Sequence, residues 1–214
     1  MTSNLRTAAR QFHEIGRDFY ARGWVLGTSG NFSAVVRPKP LQLAITASSV
    51  SKGALRPRDV LLVGTDGAPV GKSGTKPSAE TLLHLAVARV RGAGAVLHTH
   101  SIWSTVLSET YGSSGGLRLA GFEMLKGLEG VRTHQHAEWL PILANDQDIP
   151  ALARTVEALL ESSPGIHGFL LRGHGLYTWG DDLAQARRHV EILEFLLETL
   201  GRMEALGHGP REDS

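Results

Sequence analysis

The sequence contains no cysteine, and this absence excludes several kinds of site. Disulfide bonds, thiolate zinc sites and a catalytic thiol are all ruled out. No apolar run approaches the ~20 residues that a membrane-spanning helix needs. The net charge is +1 and no basic patch is present, so we expect neither nucleic acid nor a membrane surface as a partner. Residues 1–10 are polar and lack the apolar core of a secretory signal, so we expect a cytoplasmic protein.

What remains is the composition of an ordinary globular protein. The 214 residues are 42% hydrophobic and 20% charged, which is enough to bury a sizeable core. Helical and strand patterns alternate, and several predicted strands are joined by tight turns such as Asp66-Gly67. We therefore predict an α/β fold with a mixed, mainly antiparallel sheet and helices on both faces. Since we find no linker or repeat, we predict a single domain over residues 1–206, followed by a flexible tail at 207–214.

Ten histidines are many for this length, and two of them end an apolar run. His98 and His100 follow residues 94–97 (GAVL), which we interpret as a buried strand. Side chains two residues apart on a strand point to the same face. Two imidazoles on one face suit a divalent ion such as zinc. The alternative is one buried and one surface histidine, because a histidine-rich chain also produces this spacing by chance.

A zinc site needs a further ligand, for which His174 is the strongest candidate. It lies between Gly173 and Gly175, directly after an apolar strand. The glycines permit a close approach of the backbone at this junction. The alternative is a surface histidine in a turn. His134 and His136 repeat the His-x-His spacing, but their neighbours are polar and no buried strand precedes them, so we interpret that segment as a loop.

Two glutamates are candidates for acid–base chemistry. Glu80 lies at the start of a predicted helix, four residues before His84, where the helix dipole favours an ionised carboxylate. Glu123 lies between Phe122 and Met124, and partial desolvation there would raise its pKa toward the range of a general base. The alternatives are a solvated capping acid and an ordinary loop glutamate.

Loops of small residues offer a place for an anion. Residues 27–31 (GTSGN), residues 46–49 (TASS) and Ser78 at a predicted helix start present hydroxyls and backbone N–H groups. The loops do not match a P-loop, because no Gly-Lys-Ser/Thr lies between a strand and a helix. Each loop alone is a weak signal.

Taken in chain order, these segments resemble the class II aldolase/adducin head family over about residues 5–205. The matching segments are GTSGNFS at 27–33, ITASS at 45–49, KPSAE at 76–80, HTH at 98–100 and RGHG at 172–175. Two further segments, FEMLKG at 122–127 and LANDQD at 143–148, resemble the branch of that family that dehydrates methylthioribulose 1-phosphate.

The resemblance implies a three-layer α/β/α domain that assembles as a homotetramer, with active sites near the subunit interfaces. It also implies one zinc ion per subunit, held by His98, His100 and His174. Glu80 matches the acid/base residue of the aldolases, and Glu123 matches the favoured acid/base residue of the dehydratase branch. Eukaryotic dehydratases have a cysteine at the position of Glu80, so the division of work between the two glutamates stays open. The residues that match the phosphate ligands of the aldolases are Asn31, Ser48, Ser49 and Ser78.

The implied function is a zinc-dependent dehydration of 5-methylthioribulose 1-phosphate to 2,3-diketo-5-methylthiopentyl 1-phosphate in methionine salvage. The closest alternative is a class II aldolase or 4-epimerase that acts on another sugar phosphate with the same metal triad. The segment around Glu123 distinguishes these enzymes. A non-catalytic interaction module, as in the adducin head, predicts a degraded site, whereas the three histidines and both glutamates are intact here.

Overall fold

The structure is a computed structural model that describes residues 3–71 and 74–207. Within these ranges the helices are α1 (Ser3–Ala21), α2 (Thr81–Arg91), α3 (Ile102–Thr110), α4 (Ile149–Ser162) and α5 (Leu183–Ala205). The strands are β1 (Asn31–Pro38), β2 (Leu41–Thr46), β3 (Val60–Val63), β4 (Ala95–Thr99), β5 (Gly116–Ala120), β6 (Ala137–Leu143), β7 (Gly168–Leu171) and β8 (Gly175–Gly180). Every helix in the described ranges is too short or too polar to cross a bilayer. Apart from Gly207, the tail predicted at 207–214 lies outside the described residues.

The described strands form one eight-stranded sheet in the order β3-β2-β1-β4-β8-β7-β6-β5. Among them, β6 and β7 are the only parallel neighbours, and all other adjacent pairs are antiparallel. Tight connections such as β1–β2 and β7–β8 account for this, because short loops can join only antiparallel strands. The prediction of a mixed, mainly antiparallel sheet is confirmed.

Helices cover both faces of the sheet, as the alternation along β4 shows. Ala95 and Leu97 pack into a core cluster with apolar residues of α1 and α5. Val96 points the other way, into a cluster with apolar residues of α2 and α4. A strand buried on both faces has a continuous apolar sequence, which explains the run at 94–97. The predicted three-layer α/β/α architecture is confirmed.

The strand directions divide the sheet into two ends. Thr99, the last residue of β4, pairs with Leu176 near the start of β8. Strands β6 and β7 finish at this same end, because Leu143 pairs with Leu171 at the turn into β8. Strand β5 runs in the opposite direction, and its last residue, Ala120, pairs with Ala137 at the start of β6. Residues that follow β4 and residues that follow β5 therefore lie at opposite ends of the sheet.

Two local differences from the sequence-based expectations have physical reasons. Strand β5 was not expected, because it is an edge strand with the exposed Arg118 in its middle and directly follows a glycine-rich segment. Helix α2 begins at Thr81 rather than at Ser78. The backbone N–H of Ser78 donates to the carbonyl of Thr46, which ties residues 76–80 to the end of β2 as a turn.

Strand β8 begins at Gly175, where the neighbouring strand leaves no room for a side chain. Replacing this glycine therefore tests the packing of the sheet. A Cβ on Gly175 would lie 2.0 Å from the carbonyl oxygen of Thr99, in the neighbouring strand β4. We expect Gly175→Ala to lower the free energy of unfolding by ~1–3 kcal/mol, because the backbone of β4 must shift to accommodate the methyl group.

The measurement is urea unfolding at one fixed protein concentration, because the apparent stability of any protein that associates depends on its concentration. Gly165→Ala is the matched control: a Cβ there meets nothing within 4 Å, so we expect a change within about 0.5 kcal/mol. Equal stability of the two variants would contradict the tight β4–β8 contact.

Candidate metal centre and the cavity beside it

Three imidazoles converge at the end of the sheet where β4 stops and β8 starts. The Nε2 atom of His98 lies 2.7 Å from that of His100 and 3.3 Å from that of His174. The Nε2 atoms of His100 and His174 are 3.1 Å apart. His98 and His100 come from β4 and the residue after it, and His174 comes from the turn between β7 and β8. The structure thus brings together all three predicted metal ligands.

The backbone fixes which nitrogen of His98 faces the cluster. Its Nδ1–H donates to the carbonyl oxygen of Leu176 over 2.9 Å, because a carbonyl can only accept. Its Nε2 therefore carries a lone pair directed at the other two imidazoles. The ring also stacks on Tyr177 at 3.9 Å between centroids. A hydrogen bond from the second ring nitrogen to a backbone carbonyl is the usual way in which proteins orient a metal-binding histidine.

The three histidines are held in the neutral form that binds metals. Burial lowers the pKa of His98 well below its usual value, and burial lowers the pKa of His100 to about 3. Burial also lowers the pKa of His174. The Nε2 lone pair of His98 faces two imidazole nitrogens at 2.7–3.3 Å, which is close enough for all three to bind one ion. The donor set therefore fits a divalent ion that accepts imidazole nitrogen.

Glu80 reaches the same centre from the N-terminus of α2. Its carboxylate oxygens lie 3.6 Å from Nε2 of His98 and 3.4 Å from Nε2 of His174. The side-chain amide of Asn31 donates to Glu80 over 2.6 Å and accepts from Nε2 of His84. The hydroxyl of Ser33 in turn donates to Nδ1 of His84. This buried chain of donors fixes the direction of the Glu80 carboxylate.

A cavity of about 530 Å³ opens beside these residues. It is lined by Glu80, His100, His174 and the four residues predicted to bind phosphate, Asn31, Ser48, Ser49 and Ser78, together with Thr28, Lys52, Asn145 and Gln147. Ser49 has a φ of 59°, a conformation in which successive N–H groups can face one anion. Asn31 already gives one amide hydrogen to Glu80, so a single hydrogen is left for a phosphate oxygen.

Lys52 was not expected at this site, and it is 1% exposed in the structure. Its ammonium group donates to the carbonyl oxygens of Thr28 and Val50, at 2.6 and 2.7 Å, and so joins the two small-residue loops. Burial lowers its pKa to about 8, an effect partly opposed by the charge of Glu80. In the sequence, Lys52 is a lysine that follows a loop of small residues. Such a lysine is usually exposed to solvent, so the sequence did not point to a buried position.

Glu123 lies elsewhere, and two expectations about it need correction. It follows β5, so within one chain it lies at the opposite end of the sheet from the histidine triad. Its side chain is 71% exposed and pairs with Lys126 and His134. The hydrogen bond from Lys126 lowers the pKa of Glu123, whereas we expected a raised pKa from desolvation. The apolar neighbours do not bury it, because Met124 is itself exposed.

Comparisons with known proteins agree with the fold. The chain is 46% identical to the methylthioribulose-1-phosphate dehydratase of Methylococcus capsulatus over 205 residues, which cover 95% of this chain and 98% of that protein. It is 44% identical to the enzyme of the same name from Sorangium cellulosum over 197 residues, 92% of each chain.

Among solved structures, YgbL of Escherichia coli superposes with a TM-score of 0.79 at 26% identity, covering 98% of this chain and 93% of that one. The family described as class II aldolase and adducin N-terminal domain matches residues 10–200. This match spans every strand of the sheet, the three histidines and both glutamates. The chain belongs to the class II aldolase and adducin N-terminal domain family.

Proposed function

We propose that this chain is a metal-dependent hydro-lyase that converts 5-methylthioribulose 1-phosphate into 2,3-diketo-5-methylthiopentyl 1-phosphate in methionine salvage. The observation that carries the proposal is a single cavity where a histidine triad, a carboxylate and two loops suited to an anion face one another. The names of the relatives at 44% and 46% identity support the choice of substrate.

Three neutral imidazoles and no sulfur ligand favour zinc at the triad. When bound there, the ion supplies Lewis acidity toward the carbonyl and hydroxyl oxygens of the substrate. The protein itself keeps the ligands neutral by burial and orients His98 through the carbonyl of Leu176.

The reaction breaks the C3–H and C4–O bonds of the substrate, releases one water and leaves an enol that tautomerises to the 2,3-diketone. The protein must therefore supply a base for the C3 proton and an acid for the departing hydroxyl. Glu80 is the only acidic residue among the described residues that line the cavity. Because Asn31 holds its carboxylate beside the triad, we infer that Glu80 handles one of these two protons.

We assign the second proton transfer to Glu123 of a neighbouring subunit in a homotetramer. Within its own chain Glu123 lies at the far end of the sheet, so it can reach a triad only across a subunit interface. Its ion pair with Lys126 keeps the carboxylate ionised, the form that a base requires. The resemblance to the dehydratase branch supports this assignment.

In this proposal the substrate phosphate binds where the two small-residue loops and Ser78 line the cavity. Ser48, Ser49 and Ser78 offer hydroxyls there, and the backbone at Ser49 offers N–H groups. Lys52 lies beneath both loops and adds a buried positive charge. A charge in this low-dielectric position attracts a phosphate more strongly than the same charge on the surface.

Product analysis separates the proposed reaction from aldol cleavage. Zinc-loaded protein is incubated with methylthioribulose 1-phosphate, and the products are identified by mass spectrometry. We expect the 2,3-diketone. A class II aldolase would instead cleave C3–C4 and release dihydroxyacetone phosphate, and a 4-epimerase would return an isomer of unchanged mass. Either of these outcomes, or no turnover, would contradict the proposal.

Mixed assemblies test whether Glu80 and Glu123 of different subunits form one site. We expect Glu80→Gln and Glu123→Gln each to lower kcat by at least ~100-fold, a usual size for the loss of a general acid or base. Unfolding the two variants together and refolding them should restore activity to about a quarter of the wild-type value, because that fraction of sites receives both glutamates.

Each variant refolded alone and wild-type protein refolded in parallel are the controls. Mixed assemblies that stay as inactive as the separate variants would show that the two glutamates do not act at one shared site. Full activity of Glu123→Gln by itself would exclude this residue from the reaction.

Replacing Lys52 tests the phosphate subsite. We expect Lys52→Met to raise KM for the sugar phosphate about tenfold, ~1.4 kcal/mol, with a smaller change in kcat. In the wild type, inhibition by sulfate should weaken as the pH rises through about 8, because the buried ammonium group of Lys52 then loses its proton. Sulfate keeps its charge over this range, so the change reports on the protein.

The control is Lys39→Met, which removes an exposed lysine from the β1–β2 turn. It should keep both the KM and the pH dependence of sulfate inhibition. A Lys52→Met variant with unchanged KM and an unchanged pH dependence would place the phosphate elsewhere.

A further inference from the structure

A second group of metal-ligating side chains lies at the other end of the sheet. His136 and Glu138 come from the start of β6 and the residue before it, and His167 directly precedes β7. One ligand atom from each lies within 4.8 Å of the other two. Oε2 of Glu138 is 2.9 Å from Nε2 of His136 and 2.9 Å from Nδ1 of His167. The proposed function uses none of these residues.

The backbone orients His167 as it orients His98 in the triad. Nε2 of His167 lies 2.8 Å from the carbonyl oxygen of Glu129 and must donate a hydrogen to it. Nδ1, the other ring nitrogen, then presents its lone pair to the Glu138 carboxylate when the ring is neutral. A lone pair and a carboxylate oxygen at 2.9 Å repel each other unless a positive charge lies between them.

The remaining contacts hold this arrangement rigid. His189 donates through Nδ1 to the carbonyl of Trp179 and accepts the backbone N–H of Glu129 at Nε2. His189 thereby holds the backbone N–H of Glu129, and His167 holds the backbone carbonyl of the same residue. The second oxygen of Glu138, which is 1% exposed, accepts the backbone N–H of His167. These are the supporting hydrogen bonds that metal ligands in proteins generally receive.

The spacing also matches a metal site in size. Ligand atoms of a tetrahedral zinc ion lie about 3.3 Å apart, because the bonds are ~2.0–2.1 Å long. The two 2.9 Å distances in this cluster fall within the 2.7–3.3 Å range of the histidine triad. His136 and His167 line a cavity of about 740 Å³, which leaves room for water as a fourth ligand.

We propose that His136, Glu138 and His167 form a second site for a divalent transition-metal ion such as zinc. Two imidazoles, one carboxylate and an open fourth position are a common zinc ligand set. A bound ion joins the loop before β6 to the starts of β6 and β7, and this loop is continuous with the segment that carries Glu123. It therefore fixes the path of that segment.

Counting zinc in the full-length chain tests the proposal. Metal-free protein is dialysed against zinc chloride, and bound zinc per chain is measured by mass spectrometry. We expect two zinc ions per wild-type chain and one in the double variant His100→Gln/His174→Gln. Adding His136→Gln to that double variant should weaken the remaining site by at least ~10-fold, because a zinc ligand is lost.

His134→Gln is the matched control, because it removes an exposed histidine from the same loop outside the cluster. It should leave the second zinc ion in place. Cobalt, used as a spectroscopic probe of the His100→Gln/His174→Gln variant, should give the visible absorption of a four-coordinate site. One zinc ion per wild-type chain, or a second ion that His136→Gln leaves unchanged, would overturn the proposal. In that case, protonated His167 paired with Glu138 explains the geometry.

Discussion

The crowding of three imidazole nitrogens within 3.3 Å is the constraint on which the rest of the site depends. It follows from the antiparallel pairing of β4 with β8, which brings the end of one strand against the start of the other. Gly175 permits this approach because any side chain there would meet the carbonyl of Thr99. The same pairing supplies the Leu176 carbonyl that turns Nε2 of His98 toward its partners. Sheet geometry thus fixes the positions of the ligands and the orientation of the His98 ring.

The carboxylate beside the triad depends on a second constraint, a buried chain of hydrogen bonds. Ser33, His84 and Asn31 are each buried. Ser33 donates a hydrogen bond to His84, His84 donates to Asn31, and Asn31 donates to Glu80. The chain ends on Glu80, so the fold orients the proposed acid–base group before any substrate binds. Such preorganisation lowers the reorganisation that would otherwise accompany proton transfer.

Much of this arrangement could be predicted from the sequence, because short-range patterns carry it. The run before His98 indicates a buried strand, and the spacing of two places His100 on the same face. Flanking glycines mark the turn that carries His174, and tight turns indicate the antiparallel sheet. The resemblance to a known family then indicated that these segments belong to one site.

Other features depend on contacts between distant residues and left no local signal. Lys52 has the sequence context of a surface lysine, yet the carbonyls of Thr28 and Val50 bury it. The flanking residues of Glu123 suggested burial, but the direction of β5 places it at the far end of the sheet, where Lys126 pairs with it. His136 lies in the loop that the sequence indicates, but no local pattern showed that His167, distant along the chain, shares the Glu138 carboxylate with it. Loop contacts decide the case of Lys52, and sheet topology decides the other two.

A crystal structure of the zinc-loaded assembly, with anomalous scattering recorded at the zinc edge, tests the catalytic centre most directly. The predicted result is an ion ~2.0–2.1 Å from Nε2 of His98, His100 and His174. The carboxylate of Glu123 of the partner subunit should face the same cavity as Glu80. A triad without zinc, or an assembly in which every Glu123 lies far from every triad, would contradict the proposed centre.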